Sequence, residues 1–164
     1  MSNARDYLFK IPFRQYSLDN WQAKKEAIMK ALPLDKYTDF YDNGGIPEYM
    51  PVISDCIDTE MRDFSQTYPC PVMITALWYE LSKPGDYHGP HNHGATGYSA
   101  ILYVDYDAGE HEATKFHCPF LEAATGENLK YQPVVREGDL IVFPSSILHE
   151  APINTGKKNR LIVS

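Results

Sequence analysis

Histidine is the residue whose distribution in this 164-residue chain points most directly to chemistry. All six histidines lie in the second half of the sequence: His88, His91, His93, His111, His117 and His149. Neutral imidazole is the commonest transition-metal ligand in proteins, and it also acts as a general acid or base. The uneven distribution therefore predicts a metal or catalytic centre built from the second half of the chain.

His91 and His93 are separated by a single residue. On a β-strand, side chains two residues apart point to the same face, so both rings can reach one point. Surface and core histidines share this spacing, and the pair alone does not establish a site. Residues that favour turns flank the pair: Gly85, Gly89, Pro90 and Gly94. They predict a strand end that meets loops, which is where functional sites usually lie.

His149 ends a second motif, residues 138–149, with the sequence GDLIVFPSSILH. We interpret it as a buried strand, a bend at Pro144 and a return into a further strand that carries His149. A core strand with a hydrogen-bonded core histidine explains the same residues, so both interpretations stay open.

Arg160 follows His149 by eleven residues and lies in an otherwise apolar strand. A guanidinium that points into a barrel needs a carboxylate partner, because a buried unpaired charge is costly. Its planar fork suits bidentate binding of a carboxylate. The alternative is an arginine at a strand end, paired with an internal acid or with water.

Composition limits the classes of function. Hydrophobic residues make up 43 % of the chain and charged residues 23 %, which suits one folded domain. The 15 basic and 22 acidic residues give a net charge of −7, which argues against nucleic acid or an anionic membrane as partner. No apolar run approaches the roughly 20 residues of a membrane span, and no signal-peptide core is visible. We therefore expect a cytoplasmic protein.

Two helices are predicted in the N-terminal part, where apolar residues recur at helical spacing. The first begins at a capping box formed by Asp19 and Gln22, and it ends before Pro33. The second runs from about Pro47 to Gln66. Both helices are expected to cover one face of a sheet. Residues 1–70 are thus predicted to be a helical cover that belongs to the same domain as a β-rich core over residues 71–164.

Short strands separated by turn signals follow, a pattern typical of a sandwich or barrel rather than of βαβ units. The lead-in before the first helix is expected to be irregular or a short strand, a turn is predicted at Lys83–Asp86, and residues 119–130 are predicted to be a polar loop. The predicted strands are Val72–Leu81, Gly97–Tyr106, Ala113–Cys118, Tyr131–Val135, Asp139–Phe143, His149–Ile153 and Asn159–Val163.

The motifs over residues 76–164 together resemble the 2-oxoglutarate- and Fe(II)-dependent oxygenases. The resemblance is greatest to the prolyl-hydroxylase-like oxygenases found in phage and marine bacteria. The matching motifs are Tyr79–Asp86 (YELSKPGD), His91–His93 (HNH), Ser99–Tyr103 (SAILY), Gly138–Ser145 (GDLIVFPS), His149 and Arg160.

The resemblance implies a mainly β fold with N-terminal helices: a double-stranded β-helix (a jelly-roll, cupin-like barrel) with two helices packed on one sheet. It implies a dioxygenase that hydroxylates an unidentified substrate and releases succinate and CO2. It also assigns the site residues. Iron would be held by His91, His93 and His149, the distal carboxylate of 2-oxoglutarate by Arg160, and a further hydroxyl for the cosubstrate would come from Tyr79 or Tyr103.

This sequence departs at His93 from most of the wider superfamily, which carries an aspartate or glutamate at that position. Three neutral ligands would leave an Fe(II) site with a charge of +2 rather than +1, and a dianionic cosubstrate would offset the difference. Three other residues could replace one of the histidine ligands: Asp86, His88 and Glu110.

Two other functions remain open at this stage. A cupin-like metal enzyme would use the same barrel without 2-oxoglutarate and would leave Arg160 without a role. A non-catalytic β-barrel that binds a partner or serves a structural role would carry its histidines on the surface. The substrate, a small molecule or a peptide, and the oligomeric state are open in every case.

Overall fold

The computed structural model describes residues 10–42, 46–67 and 71–164. Two helices, α1 (Trp21–Ala31) and α2 (Met50–Thr67), precede most of the strands. The strands are β1 (Arg14–Ser17), β2 (Tyr79–Ser82), β3 (His88–His91), β4 (Tyr98–Asp105), β5 (Lys115–Leu121), β6 (Asn128–Tyr131), β7 (Asp139–Pro144), β8 (His149–Ala151) and β9 (Arg160–Val163). In the part of the chain that is described, no helix is long and apolar enough to cross a membrane.

The strands form two antiparallel sheets, so the predicted mainly β fold with two helices is confirmed. The first sheet has five strands in the order β1-β7-β4-β9-β2. The second has four strands in the order β3-β8-β5-β6. From β2 to β9 the chain crosses repeatedly between the sheets, and strands distant in sequence become neighbours.

Two hydrophobic cores lie on the two faces of the five-stranded sheet. Alternate residues of β4 divide between them, since successive side chains of a strand point to opposite faces. Leu102 and Val104 belong to a helix-side core, which includes residues of both helices. Ile101 and Tyr103 belong to an inter-sheet core, which includes Phe116 of the four-stranded sheet. The side chains that could do chemistry are therefore those on the inter-sheet face.

The predicted beginning of α1 is wrong. Asn20, in the left-handed region with φ of 52°, precedes the helix, and no side chain caps it. A tertiary contact fixes this end instead. The indole of Trp21 donates a hydrogen bond of 2.8 Å to Glu137 and packs beneath Gly138. Local capping signals in the sequence do not reveal a contact over this separation.

The N-terminal lead-in provides β1, which pairs with β7 along its whole length. A short strand is one of the two predicted alternatives for this segment. Its part over residues 1–9 lies outside the described residues, as do residues 43–45 of the predicted loop between the helices.

The predicted strand Val72–Leu81 is too long, because only Tyr79–Ser82 has a strand beside it. β9 pairs with these four residues, and Trp78 exchanges backbone hydrogen bonds of 3.0 and 2.8 Å with Ser164. Residues 71–77 have no residues of β9 opposite them.

The predicted loop over residues 119–130 is also wrong in its bounds, because β5 and β6 form a hairpin across it. Glu122 stabilises the turn of this hairpin. Its carboxylate accepts the backbone N–H groups of Ala124 and Thr125 at 2.8 and 2.6 Å. The loop is therefore shorter than composition predicts. The strand after it, β6, ends at Tyr131, where the predicted strand Tyr131–Val135 begins.

Gly138 combines a conformational and a steric requirement, and we expect Gly138→Ala to destabilise the fold. Its φ is +84°, and an added Cβ would lie 2.8 Å from the Trp21 ring. Gly126→Ala is the matched control, since φ there is +72° with nothing within 4 Å. We expect a loss of about 1–2 kcal/mol for Gly126→Ala, and about 2–4 kcal/mol for Gly138→Ala. Urea denaturation measures both, and equal losses would contradict the role of the Trp21 contact.

Candidate metal centre

His91, His93 and His149 converge on one point, and we call these three residues the histidine cluster. One ring nitrogen from each lies within 4.8 Å of the others. His91 ends β3 and His149 begins β8, where the two residues are direct register partners. His93 follows the strand, and its backbone N–H donates to Ser145 at 2.9 Å. Strand pairing thus joins two segments that are far apart in sequence.

Hydrogen bonds to backbone carbonyls orient two of the rings. Nδ1 of His91 lies 2.8 Å from the carbonyl of Gly89, and Nδ1 of His149 lies 2.8 Å from that of Ile147. A carbonyl only accepts, so Nδ1 carries the proton in both rings. Nε2 of each ring is then an unprotonated donor, which is the form in which imidazole binds a metal.

Burial keeps the cluster free of protons. It lowers the pKa of His149 to about 4, even though the bond to Ile147 acts in the opposite direction. Burial also lowers the pKa values of His91 and His93. At neutral pH, three uncharged imidazoles therefore face one another, and a cation can bind without displacing protons.

Aromatic side chains surround the cluster on its cavity side. Trp78 lies 5.4 Å from His93 between ring centroids, and Phe143 meets His149 edge-on at 4.8 Å. Phe40 packs against Trp78 at 4.8 Å. The cluster, Trp78 and Phe40 all line one cavity of about 780 Å³. This volume is in the range of small-molecule sites.

None of the three proposed replacement ligands joins the cluster. The Asp86 carboxylate accepts the N–H of Lys83 at 2.7 Å within the predicted turn. Glu110 accepts the N–H groups of Lys157 and Lys158 at 2.7 and 3.0 Å. His88 stacks on His91. Among the described residues, the group that could hold a metal consists of histidines alone.

Arg160 is buried on the inter-sheet face, on the same side of β9 as Ile162. Its guanidinium donates to the backbone carbonyls of Glu112 and Pro152 at 3.0 and 3.2 Å. Within the described ranges, no carboxylate lies within the 4.0 Å of a salt bridge to it. The space between the two sheets therefore holds a cation that forms no salt bridge within the described residues.

Tyr103 and Tyr79 lie on opposite faces of the five-stranded sheet. Tyr103 is on the inter-sheet face, where its hydroxyl donates to Thr114 Oγ1 at 3.0 Å. Tyr79 belongs to the helix-side core, and its hydroxyl donates to Asp35 at 3.2 Å. The structure therefore brings Tyr103, and not Tyr79, to the face that carries Arg160.

The sequence analysis does not identify Glu80 as a site residue, although it lies on the inter-sheet side of β2 and lines the cavity. Burial alone would raise the pKa of its carboxyl, but the hydrogen bond from His88 and the charges of His88 and Arg160 lower it. Glu80 is thus a buried carboxylate. Alternation along the strand could have identified Glu80 in the sequence. If Tyr79 faces the helix-side core, Glu80 must point to the opposite face.

A family model described as "Putative 2OG-Fe(II) oxygenase" matches residues 76–164. This is the stretch that carries the motifs quoted above. A comparison with the curated proteins finds no match.

Several solved structures share the fold at low sequence identity. AviO1 from Streptomyces viridochromogenes Tue57 has a TM-score of 0.67 and 13 % identity, covering 94 % of this chain and 88 % of its own. HygX from Streptomyces hygroscopicus, with nickel and 2-oxoglutarate bound, has a TM-score of 0.69 and 11 % identity, covering 93 % and 80 %. A Pseudomonas putida prolyl-4-hydroxylase has a TM-score of 0.60 and 16 % identity, covering 94 % and 83 %.

The lowered pKa of His149 leads to a prediction about stability and pH. The folded protein binds a proton at His149 only near pH 4, whereas the unfolded chain binds it near the ordinary value of 6.5. The unfolded state therefore takes up more protons between these values, and acid favours unfolding. We expect metal-free protein to lose stability as pH falls from 6.5 towards 4, by up to about 1.4 kcal/mol per pH unit from this residue.

Denaturant titrations at a series of pH values, with chelator present, measure this loss. His149→Gln removes the group and should flatten the pH dependence over the same interval. Identical pH profiles for the two proteins would contradict the buried, neutral state of His149.

Proposed function

The chain belongs to the 2OG-Fe(II) oxygenases, because the family model matches more than half of it, and we propose that it is an Fe(II)- and 2-oxoglutarate-dependent dioxygenase that hydroxylates its substrate. Family membership makes it an oxidoreductase. The observation that carries the finer proposal is the convergence of His91, His93 and His149.

The donor set fits iron. Imidazole nitrogen is a suitable ligand for Fe(II), and three such ligands leave coordination positions for other molecules. His91, His93 and His149 would hold the metal, in each case through a neutral ring. Since none of these rings carries a negative charge, a dianionic cosubstrate would complete the charge balance of the site.

Arg160 fits the second component. A buried guanidinium without a carboxylate partner is costly, and a carboxylate ligand would relieve that cost. Its charge and planar geometry favour the distal carboxylate of 2-oxoglutarate. Tyr103 lies on the same face, and its hydroxyl and that of Thr114 are the neighbouring groups that could add a hydrogen bond. Tyr79, on the opposite face, is not part of this proposal.

We also propose that β2 to β9 form a double-stranded β-helix. The strand orders β7-β4-β9-β2 and β3-β8-β5-β6 support this, because they arise when a folded-over ribbon of strands winds through two facing sheets. In this arrangement residues 71–164 form the catalytic core. Residues 10–42 and 46–67 cover one sheet with α1 and α2 and add β1 to its edge.

Fe(II) with 2-oxoglutarate supplies the activation of oxygen, coupling loss of CO2 from the cosubstrate to oxidation of a substrate C–H bond and leaving succinate. The chain's own residues position the reactants. The histidine cluster faces the cavity, Arg160 fixes the register of the cosubstrate, and Phe143 and Trp78 limit water around the rings. No residue of the chain has to transfer a proton to the substrate.

The cavity favours an apolar reacting group on a small molecule or peptide. Phe40, Met73 and Trp78 lie along its wall, and Met73 is 79 % exposed. Within the described residues, neither lysine nor arginine lines this wall, so a 2-oxoglutarate held by the cluster would extend past it, beside Thr114, to reach Arg160. The substrate is therefore expected to be held by shape and apolar contact around the reacting C–H bond.

His149→Ala should abolish tight binding of Fe(II). It removes one of three ligands. Even substitutions of residues that only hydrogen-bond to the ligands weaken metal sites by about 10–100-fold. We expect a loss of more than about 100-fold in an anaerobic calorimetric titration with Fe(II). His117→Ala, a histidine outside the cluster, is the control and should bind as the wild type does. Retention of tight binding in His149→Ala would exclude this set of ligands.

Arg160→Ala should weaken 2-oxoglutarate and spare the metal. Loss of one buried charge pair costs about 2–5 kcal/mol of binding free energy. Arg160→Lys should restore only part of it, because an ammonium lacks the planar fork. The measurement is a titration of Fe(II)-loaded protein with 2-oxoglutarate without oxygen, followed in visible absorption. An unchanged affinity would remove Arg160 from the site, and a wild type that binds iron but ignores 2-oxoglutarate would favour the cupin-like enzyme.

A further inference from the structure

The histidine cluster has a second layer that the mechanism above does not use. His88 lies over His91 with ring centroids 4.1 Å apart and an interplanar angle of 9°. On its other side, Nδ1 of His88 is 2.9 Å from Oε2 of Glu80. Glu80, His88 and His91 therefore form a continuous stack that leads from a carboxylate to a cluster residue.

The Glu80 carboxylate is held in an unfavourable position. Its side chain is only 5 % exposed. Its second oxygen, Oε1, has no hydrogen bond of standard length among the described residues, and the Tyr37 hydroxyl and the charge of Arg160 are the further groups that help to lower the pKa of the carboxyl. Burying a charged oxygen without a partner is costly unless positive charge lies nearby. The cavity that Glu80 lines is the one that contains the histidine cluster, so a bound divalent cation would supply such charge.

The histidine cluster, in turn, lacks negative charge. Its three ligands are neutral, so no ligand carries the negative charge that a carboxylate at position 93 would bring. Glu80 is the carboxylate that lines the same cavity, one imidazole removed from His91. His88 is hydrogen-bonded to Glu80 and its ring lies flat against that of His91.

We propose that Glu80, acting through His88, is a positioning and charge-balancing residue of the metal centre, whose three histidine ligands carry no negative charge. It orients the His91 ring through the stack and stabilises the positive charge of the bound metal. Because a negative charge favours Fe(III) over Fe(II), it also lowers the reduction potential of the centre. This inference rests on the proposed function, since it presumes that the cluster binds iron.

The test compares Glu80→Gln with wild type in two measurements. Anaerobic titration with Fe(II) should show binding weaker by about tenfold, the lower end for changes one layer beyond the ligands. Redox titration of the iron-loaded protein should show a higher Fe(III)/Fe(II) midpoint potential. If Fe(III) loses about tenfold more affinity than Fe(II), the potential rises by about 59 mV.

Two controls separate this role from general effects of charge and folding. Glu150→Gln removes a carboxylate of similar burial from the strand residue next to His149, where it accepts a hydrogen bond from Tyr87 at 2.9 Å. It should leave the potential unchanged. His88→Phe keeps a flat ring over His91 and breaks the link to Glu80, and it replaces Glu80→Gln if that variant does not fold. Glu80→Asp should recover part of the wild-type potential.

Each outcome decides the inference. A raised potential in Glu80→Gln, with no change in Glu150→Gln, supports it. Wild-type affinity and potential in folded Glu80→Gln would overturn it, as would equal shifts in the two glutamine variants. A wild type that binds no iron would instead refute the proposed function on which it rests, which keeps the two failures distinguishable.

Discussion

The pairing of β3 with β8 is the interaction on which the candidate site depends. It sets His91 opposite His149 in register, although 57 residues separate them in the sequence. A slip of one residue would turn one of the two rings to the outer face of the sheet and leave a pair instead of a triplet. The bonds of both Nδ1 atoms to backbone carbonyls then define which nitrogen faces the cavity. Register and ring orientation together make three separate histidines a potential ligand set.

The sequence analysis identifies the chemistry better than the element bounds. The histidine spacing and Arg160 can be recognised in the sequence because few other residue types bind metals or carboxylates, and because the family motifs contain the same residues. Contacts between residues far apart in the sequence cannot be predicted in this way. The Trp21–Gly138 contact sets the beginning of α1, and Glu122 closes a hairpin that composition reads as a loop. The sequence leaves Tyr79 and Tyr103 as alternatives for a related reason, since a motif does not tell which face of its strand the core occupies.

Charge is distributed unusually inside this protein. Among the described residues, the interior between the sheets holds two buried carboxylates, Glu80 and Asp139, and one buried guanidinium, Arg160, which lies opposite Ser82 in the pairing of β2 with β9. No salt bridge joins Glu80 to Arg160 among the described residues, although the charge of Arg160 helps to lower the pKa of the Glu80 carboxyl. Replacing both by apolar residues would favour folding, since the Arg160 guanidinium is satisfied only by two backbone carbonyls. Their presence is consistent with selection for binding rather than for stability.

The way the two sheets are assembled also governs when the site exists. β1 pairs with β7 and β2 pairs with β9, so both edge strands of the five-stranded sheet bind to segments far along the chain. Contacts of this kind form slowly, because a long loop must close before they contribute any stability. During synthesis, His91 and His93 leave the ribosome well before His149 does. A nascent chain therefore carries an incomplete histidine cluster, and the proposed binding of a metal would have to follow the pairing of β3 with β8.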